Sequence, residues 1–152
     1  MKKPLVVTDP SDRAPELIRE AGERAADAGV PLCVLTVVSQ DEFEKDSEVL
    51  GKIARTERTD YELSPAEYAE EVAQTAVSDL LSDLEIETET IGRGVGDDKE
   101  RADAILEVAA ENDCDYIFMV GRRRSPTGKV LFGDTAQKVI LNFEDYVVTL
   151  TE

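Results

Sequence analysis

The residues best suited to chemistry are concentrated in one basic stretch, residues 121–135, with the sequence GRRRSPTGKVLFGDT. It carries three arginines and a lysine, in a chain whose formal net charge is −17. The planar donors of arginine match the oxygens of phosphate, and a helix N-terminus also attracts anions. The stretch is therefore predicted to bind an anionic ligand. Internal salt bridges or a protein interface are the alternative interpretation of these charges.

Two predicted elements position this stretch. An apolar run at residues 115–120 predicts a strand before it, and helical periodicity at residues 136–141 predicts a helix after it. A glycine-bounded connection from a strand to a helix N-terminus can hold an anion on its backbone amides. Asp134 also suits the N-cap of that helix, which is the alternative to direct contact with a ligand or metal.

Strand and helix patterns alternate along the rest of the chain. The predicted strands are residues 5–8, 32–38, 86–93, 116–120 and 146–150, and the predicted helices are residues 11–28, 64–82, 97–111 and 136–141. This alternation is typical of a parallel α/β sheet with right-handed crossovers. In a doubly wound sheet, ligands bind beyond the carboxyl ends of the strands. Asp9 follows the first strand and Gly121 the fourth, so both are expected at that edge.

Three other features each allow two interpretations. Asp9 precedes Pro10, so it suits a turn as well as contact with a ligand. The glycines at 92, 94 and 96 predict a flexible turn, or else backbone that lines the other side of the ligand. Residues 39–63 are polar and weakly patterned, so we expect a variable insert with one short helix that moves as a lid.

Length and composition restrict the class of protein. The 152 residues fit one domain, 1–152, and no apolar run approaches the roughly 18–20 residues of a membrane span. The N-terminus lacks a signal-peptide pattern, so a cytoplasmic location is expected. Cys33 and Cys114 lie in or beside apolar strands and are expected to be free buried thiols, with a disulfide or redox pair as the alternative.

The charge balance is strongly acidic, with 34 acidic residues against 17 basic ones and no histidine. This balance disfavours binding to nucleic acid or to anionic membranes, and the lack of histidine excludes His-based triads and His metal sites. Salt at 1 M shortens the Debye length to about 3 Å and screens such self-repulsion. A halophilic, salt-rich cytosol is therefore expected, with attraction of a basic partner as the alternative.

Several motifs together resemble the universal stress protein family over nearly the whole chain, in an acidic form of haloarchaeal type. Thr8-Asp9 resembles the family's acidic position that holds the ribose of ATP, and Val37 matches a valine that packs on adenine. Residues 121–135 resemble the family's ATP signature, Gly-x2-Gly-x9-Gly-Ser/Thr. Arg124 stands where the signature has its second glycine, and Asp134 stands where it has serine or threonine.

The resemblance implies a five-stranded sheet of order 3-2-1-4-5 in an open, Rossmann-like fold of the adenine nucleotide alpha hydrolase type. It implies a stress-response protein that binds ATP or AMP, with Mg2+, and has a regulatory role without catalytic turnover. A homodimer paired through residues 146–150 is also implied. The nucleotide-binding residues so implied are Thr8, Asp9, Val37, Gly121, Arg123, Arg124, Ser125, Gly128, Gly133, Asp134 and Thr135.

Two other functions stay open on the residues alone. A family member that has lost ATP and acts as a dimeric interaction module is the first alternative, because Arg124 and Asp134 could pair with each other. Hydrolysis of a nucleotide or phosphate ester is the second, although the sequence shows no nucleophile–base pair for it.

Overall fold

Five parallel strands form the centre of the fold, in the order β3-β2-β1-β4-β5, as predicted. The computed structural model describes residues 1–46, 63–121 and 133–152. The strands are β1 Pro4–Thr8, β2 Leu32–Ser39, β3 Thr88–Val95, β4 Tyr116–Gly121 and β5 Tyr146–Thr151. Strand β1 lies between β2 and β4, so the sheet order reverses there and the chain has the α/β, doubly wound architecture expected from the sequence.

Helices cover both faces of this sheet. They are α1 Ala14–Ala28, α2 at residues 40–46, α3 Pro65–Leu80, α4 Arg101–Glu111 and α5 Asp134–Asn142, with a short 3-10 turn Asp98–Glu100 before α4. Alternate strand residues point to opposite faces, so Val6 and Phe118 pack with α1 whereas Leu5 and Ile117 pack with α4 and α5. Each large aliphatic side chain buried in this way contributes about 1.5–3 kcal/mol.

Helix ends follow local sequence signals in some places and not in others. The side chain of Ser64 accepts the amide of Glu67 and starts α3, and Gly29, with φ of 68°, ends α1, both as predicted. The predicted cap of α1 at residue 11 or 12 is wrong, since α1 begins at Ala14 after Arg13. The Ser11 side chain instead accepts the amide of Arg13 and forms a turn that delays the helix.

The glycine run is the clearest difference from the sequence-based expectation. Gly92 and Gly94 were predicted to form a turn with Gly96, but both lie inside β3. A Cβ atom at Gly92 would collide with the backbone of Ala66 and Glu70 in α3. These two glycines therefore allow α3 to lie directly against β3, and their small size is needed for packing, not for a turn.

Two further predictions concern the insert after β2 and the start of α5. Residues 40–46 form the short helix expected within 39–63, while residues 47–62 lie outside the described residues, so a lid motion stays a prediction. Asp134 had two interpretations, the N-cap of α5 or a contact with a ligand or metal, and the first of these is wrong. Gly133 holds that position with extended backbone, and Asp134 is the first residue of the helix.

Candidate functional site

A cleft of about 430 Å3 opens at the carboxyl edge of the sheet, which we define as the ends of β1, β2 and β4 with the starts of α4 and α5. Its volume is within the range of small-molecule sites, roughly 300–1,000 Å3. Its polar and charged lining residues are Thr8, Asp9, Glu42, Asp98, Lys99, Arg101, Asp134 and Thr135. The cleft therefore brings together five of the residues predicted from the sequence, namely Thr8, Asp9, Gly133, Asp134 and Thr135.

The end of β1 supplies one wall of the cleft. The Thr8 hydroxyl lies 2.7 Å from the hydroxyl of Thr36, and this hydrogen bond joins the end of β1 to the middle of β2. The Asp9 carboxylate accepts the amide of Ser11 at 2.9 Å, so the turn interpretation of Asp9 is confirmed. Because this bond fixes the carboxylate at the cleft wall, the turn role and a contact with a ligand are compatible.

The N-terminus of α5 supplies the opposite wall. The N-cap residue of α5 is Gly133, and no described side chain caps the helix. Its first residues, Asp134 to Ala136, all line the cleft. The amides of a first helical turn have no partner within the helix and attract negative charge. They suit a phosphate or carboxylate ligand, whereas the carboxylate of Asp134 beside them opposes one.

Arg101 is a charged residue of the cleft that sequence reasoning missed. Its guanidinium donates to the carbonyl of Val37 at 2.6 Å and to the carboxylate of Glu42. It also donates to Asp98 at 3.0 Å, and its side chain is only 17% exposed. A signal was present in the sequence, because a cation at the start of a helix is unfavourable unless a specific partner holds it there.

The side chain of Val37, unlike that of Arg101, does not reach the cleft. Its side chain is 2% exposed and packs in the core with Ile105, so it does not line the cleft. Its carbonyl group is the part of the residue that the cleft arginine contacts. Adenine packing on Val37 stays a prediction, and it requires Arg101 to share or leave that carbonyl.

Helix α2 is attached to the cleft from two sides. Glu42 links it to Arg101, and the Ser39 hydroxyl accepts the Glu42 amide at 3.2 Å and donates to its carboxylate at 3.0 Å. From the other side, the Tyr68 hydroxyl of α3 donates to Asp46 at 2.8 Å. Burial, together with this hydrogen bond, raises the pKa of Tyr68 to about 12. Tyr68 therefore stays protonated and keeps its bond to α2 at physiological pH.

The described lining of the cleft carries more negative than positive charge. Among the described lining residues there are four carboxylates and two cations, Lys99 and Arg101, and Arg101 pairs with two of the carboxylates. Lys99 forms no ion pair within residues 1–46, 63–121 and 133–152. An anionic ligand therefore needs further positive charge, and residues 121–135 carry four such charges.

The remaining predicted residues divide into two groups. Gly121 ends β4 beside β1, at the same edge as Asp9, and its carbonyl accepts the amide of Glu152 at 3.1 Å. Arg123, Arg124, Ser125 and Gly128 lie outside the described residues. In the described part of the chain no cluster of three or more cysteine, aspartate or glutamate residues suits a metal ion. No described helix is long and apolar enough to cross a membrane.

Comparison with known proteins decides the family. The model of the universal stress protein family matches residues 1–148. The chain belongs to the universal stress protein family. No curated protein sequence matches it.

Solved structures of universal stress proteins have the same fold over nearly the whole chain. One from Archaeoglobus fulgidus is 26% identical with a TM-score of 0.65, covering 98% of each chain. A second, from the same organism and in complex with dAMP, is 21% identical with a TM-score of 0.58, covering 98% of this chain and 97% of that one. A third, in complex with cAMP, is 19% identical with a TM-score of 0.55, covering 99% and 96%.

Proposed function

We propose that this universal stress protein binds an adenine nucleotide, ATP or AMP, in the cleft at the carboxyl edge. The observation that carries the proposal is the start of α5, whose first-turn amides line a cleft of about 430 Å3 next to Asp9. Relatives with dAMP and cAMP support the class of ligand. The role is regulatory, in the response to stress, without catalytic turnover.

Each wall of the cleft has a separate task in this proposal. The Asp9 carboxylate, fixed by the Ser11 amide, accepts a ribose hydroxyl. The amides of the first turn of α5 hold the phosphates together with Arg123 and Arg124, since arginine forks bind phosphate strongly. Mg2+ bound to the nucleotide reduces its repulsion from Asp134. The base lies towards Val37, where Arg101 has to share the carbonyl that it now binds.

Calorimetric titration of ATP and AMP, in molar KCl with Mg2+, tests the proposal. We expect binding by the natural chain and at least a tenfold loss in Asp9→Asn. Asp134→Ser removes a charge that would cost about 4 kcal/mol at 4 Å from a phosphate in an effective dielectric of 20. Salt screens most of this repulsion, so we expect affinity for ATP to rise about tenfold.

A matched control is available on the neighbouring helix α4. Asp103 is exposed and pairs with Lys138 outside the cleft, so Asp103→Asn changes the net charge without changing the site. It should leave the affinity for ATP unchanged. Absence of heat with both nucleotides, in the natural chain and in Asp134→Ser alike, would reject nucleotide binding.

A second candidate function is a dimeric interaction module without a nucleotide. It is favoured by Arg101, which already fills part of the cleft with ion pairs to Glu42 and Asp98. The titration separates the two candidates. Binding restored only by Asp134→Ser would indicate a family member that has lost its ligand, whereas binding by the natural chain rejects that interpretation.

The proposed homodimer forms through the outer edge of β5. Within the described residues, Tyr146–Thr151 pairs with β4 alone. Its first residue, Tyr146, is 62% exposed, and Leu141, near the end of α5, is 74% exposed. An unpaired strand edge next to exposed apolar side chains favours pairing with a second copy. Light scattering at several protein concentrations should give twice the mass of the chain, and a monomer throughout would contradict the dimer.

The proposed location is a cytosol rich in salt. With 34 acidic residues against 17 basic ones, repulsion among like charges opposes the folded state at low ionic strength. The melting temperature should therefore rise steadily as KCl is raised from millimolar to molar concentration. A melting temperature that does not change over this range would contradict the halophilic interpretation.

A further inference from the structure

A pair of thiols lies at the other edge of the sheet, far along the strands from the cleft. We define the amino edge as the starts of β1, β2 and β4. There the Sγ atoms of Cys33, in β2, and Cys114, just before β4, are 3.8 Å apart. Both cysteines are free, and their exposed fractions are 0% and 6%. Nothing in nucleotide binding uses these two side chains.

Charged groups surround the pair on its solvent side. The thiol of Cys33 lies 3.5 Å from a carboxylate oxygen of Glu89 and can donate its proton there. The ammonium group of Lys3 pairs with the same carboxylate at 3.0 Å, and the Lys3 side chain as a whole is 21% exposed. Cys114 is 6% exposed, so a small oxidant can reach the pair from its side.

The two thiols are not equivalent. The hydrogen bond between the two thiols and the charge of Lys3 lower the pKa of the Cys114 thiol against the effect of burial. The hydrogen bond with Cys114, then burial, and also the charge of Glu89 raise the pKa of Cys33. Cys114 is thus the thiol that more readily becomes the nucleophilic thiolate, and it is also the more exposed of the two.

We propose that Cys33 and Cys114 form a reversible intramolecular disulfide on reaction with a peroxide, which makes the amino edge a two-electron redox site. The Cys114 thiolate attacks a peroxide oxygen and breaks the O–O bond. This gives a sulfenic acid on Cys114, and the departing oxygen takes up a proton to leave as an alcohol or water. The sulfur of Cys33 then attacks the sulfenic sulfur, so that the S–S bond forms and the S–O bond breaks.

The proton and electron balance of the second step also fits the site. The proton of Cys33 passes to the Glu89 carboxylate and then to the departing hydroxide, which leaves as water. In total the two thiols lose two hydrogens, and the peroxide is reduced to an alcohol and water. The S–S bond requires the sulfurs to approach by roughly 1.8 Å, because a disulfide is about 2.05 Å long. A thiol reductant reverses the step.

The disulfide would connect β2 and the start of β4, which are the strands on either side of β1. The two cysteines are 81 positions apart in sequence. Closing so long a loop restricts the unfolded chain more than the folded one. We therefore expect the oxidised chain to melt about 5–15 °C above the reduced chain.

The experiment uses the full chain without nucleotide. The reduced protein is treated with hydrogen peroxide, quenched, unfolded in urea and labelled with a maleimide polymer, and a second portion is digested for peptide mass mapping. Cys33→Ala and Cys114→Ala serve as matched controls, since each keeps one thiol and cannot form the internal bond.

The expected result has four parts that occur together. Both thiols become unreactive, the intact mass falls by two hydrogens, the map shows Cys33 joined to Cys114, and dithiothreitol restores both labels. Thiols that stay reactive, separate oxygen addition to each sulfur, or bonds between two chains would each overturn the proposal. If the alanine variants fail to fold, the peptide map of the natural chain still decides between these results.

Discussion

The two edges of the sheet satisfy their polar groups in different ways. At the amino edge the carboxylate of Asp115 accepts the amides of Lys2 and Lys3 at 2.9 and 3.0 Å, and Lys3 pairs with Glu89. At the carboxyl edge the first-turn amides of α5 line a cleft, and described carboxylates outnumber cations there. One edge is closed by contacts within the chain, whereas the other has capacity for a ligand.

This difference has a physical cause in the parallel sheet. At the amino edge the backbone before β1 and the loop before β4 run side by side, so one carboxylate can accept two adjacent amides. At the carboxyl edge the sheet order reverses between β1 and β4, and in such a sheet the space beyond these strand ends is where ligands bind. Polar groups in such a space need a ligand, water or ions as partners.

The largest loss of stability is expected from a change in the packing of α3 on β3, which supports the whole sheet. Gly92→Ala places a Cβ atom against the backbone of Ala66 and Glu70, so α3 has to move away from β3. We expect a loss of about 3 kcal/mol in the free energy of unfolding, measured with urea. Gly96→Ala is the matched control, because the nearest atom to its Cβ is a flexible Glu100 oxygen at 3.4 Å. A loss no greater than that of the control would contradict the close packing.

A smaller effect, confined to the carboxyl edge, is expected from Arg101→Met. This change removes hydrogen bonds to Val37, Glu42 and Asp98 from a side chain that is 17% exposed. We expect a loss of about 2 kcal/mol in the free energy of unfolding. Arg24→Met is the control, since the side chain of Arg24 is 54% exposed and pairs only with Glu20 among the described residues. Its loss should stay below about 0.5 kcal/mol, and equal losses would mean that Arg101 does not hold the cleft together.

A third effect is expected at the amino edge. We expect Asp115→Asn to lower the free energy of unfolding by about 1–2 kcal/mol. Burial opposes the charge of Asp115, but the amides of Lys3 and Lys2 outweigh it and lower the pKa of the carboxyl below 3.8. A carboxyl whose pKa is lower in the folded chain stabilises it above the unfolded pKa and loses this effect as pH falls through the folded value. The difference in the free energy of unfolding between the natural chain and the variant should thus be largest at pH 7 and should shrink below about pH 4.

The measurement for Asp115 is urea unfolding of both proteins at several pH values. Comparing the two proteins at each pH removes the general effect of protonating other carboxylates. A difference that stays constant from pH 7 to pH 3 would show that the amide contacts do not depend on the charge of Asp115.

Most of the fold could be predicted because it depends on local and periodic signals. The continuous apolar run of β2, the capping serine of α3 and Gly29 at the end of α1 act within a few residues of themselves. Gly92 and Gly94 were interpreted wrongly for the opposite reason. Their role depends on residues of α3 that lie more than twenty positions earlier in the chain, which no local pattern of glycines shows.

The candidate site could be predicted in part for the same reason. Thr8, Asp9 and Thr135 follow or begin elements whose order places them at the carboxyl edge, so topology alone brings them together. Arg101 was missed because its three partners are a carbonyl of β2, a residue of α2 and a residue of the 3-10 turn. The approach of the two cysteines also depends on strands that are not adjacent in sequence.

The most direct test of the central claim compares the two edges in one experiment. The amide NMR spectrum of the natural chain is recorded while ATP with Mg2+ is added in molar KCl. Nucleotide binding at the carboxyl edge predicts saturable shifts for the amides of Thr8, Asp9 and Thr135, with those of Cys33 and Asp115 unchanged. Shifts confined to the amino edge, or no saturable shift at either edge, would contradict it.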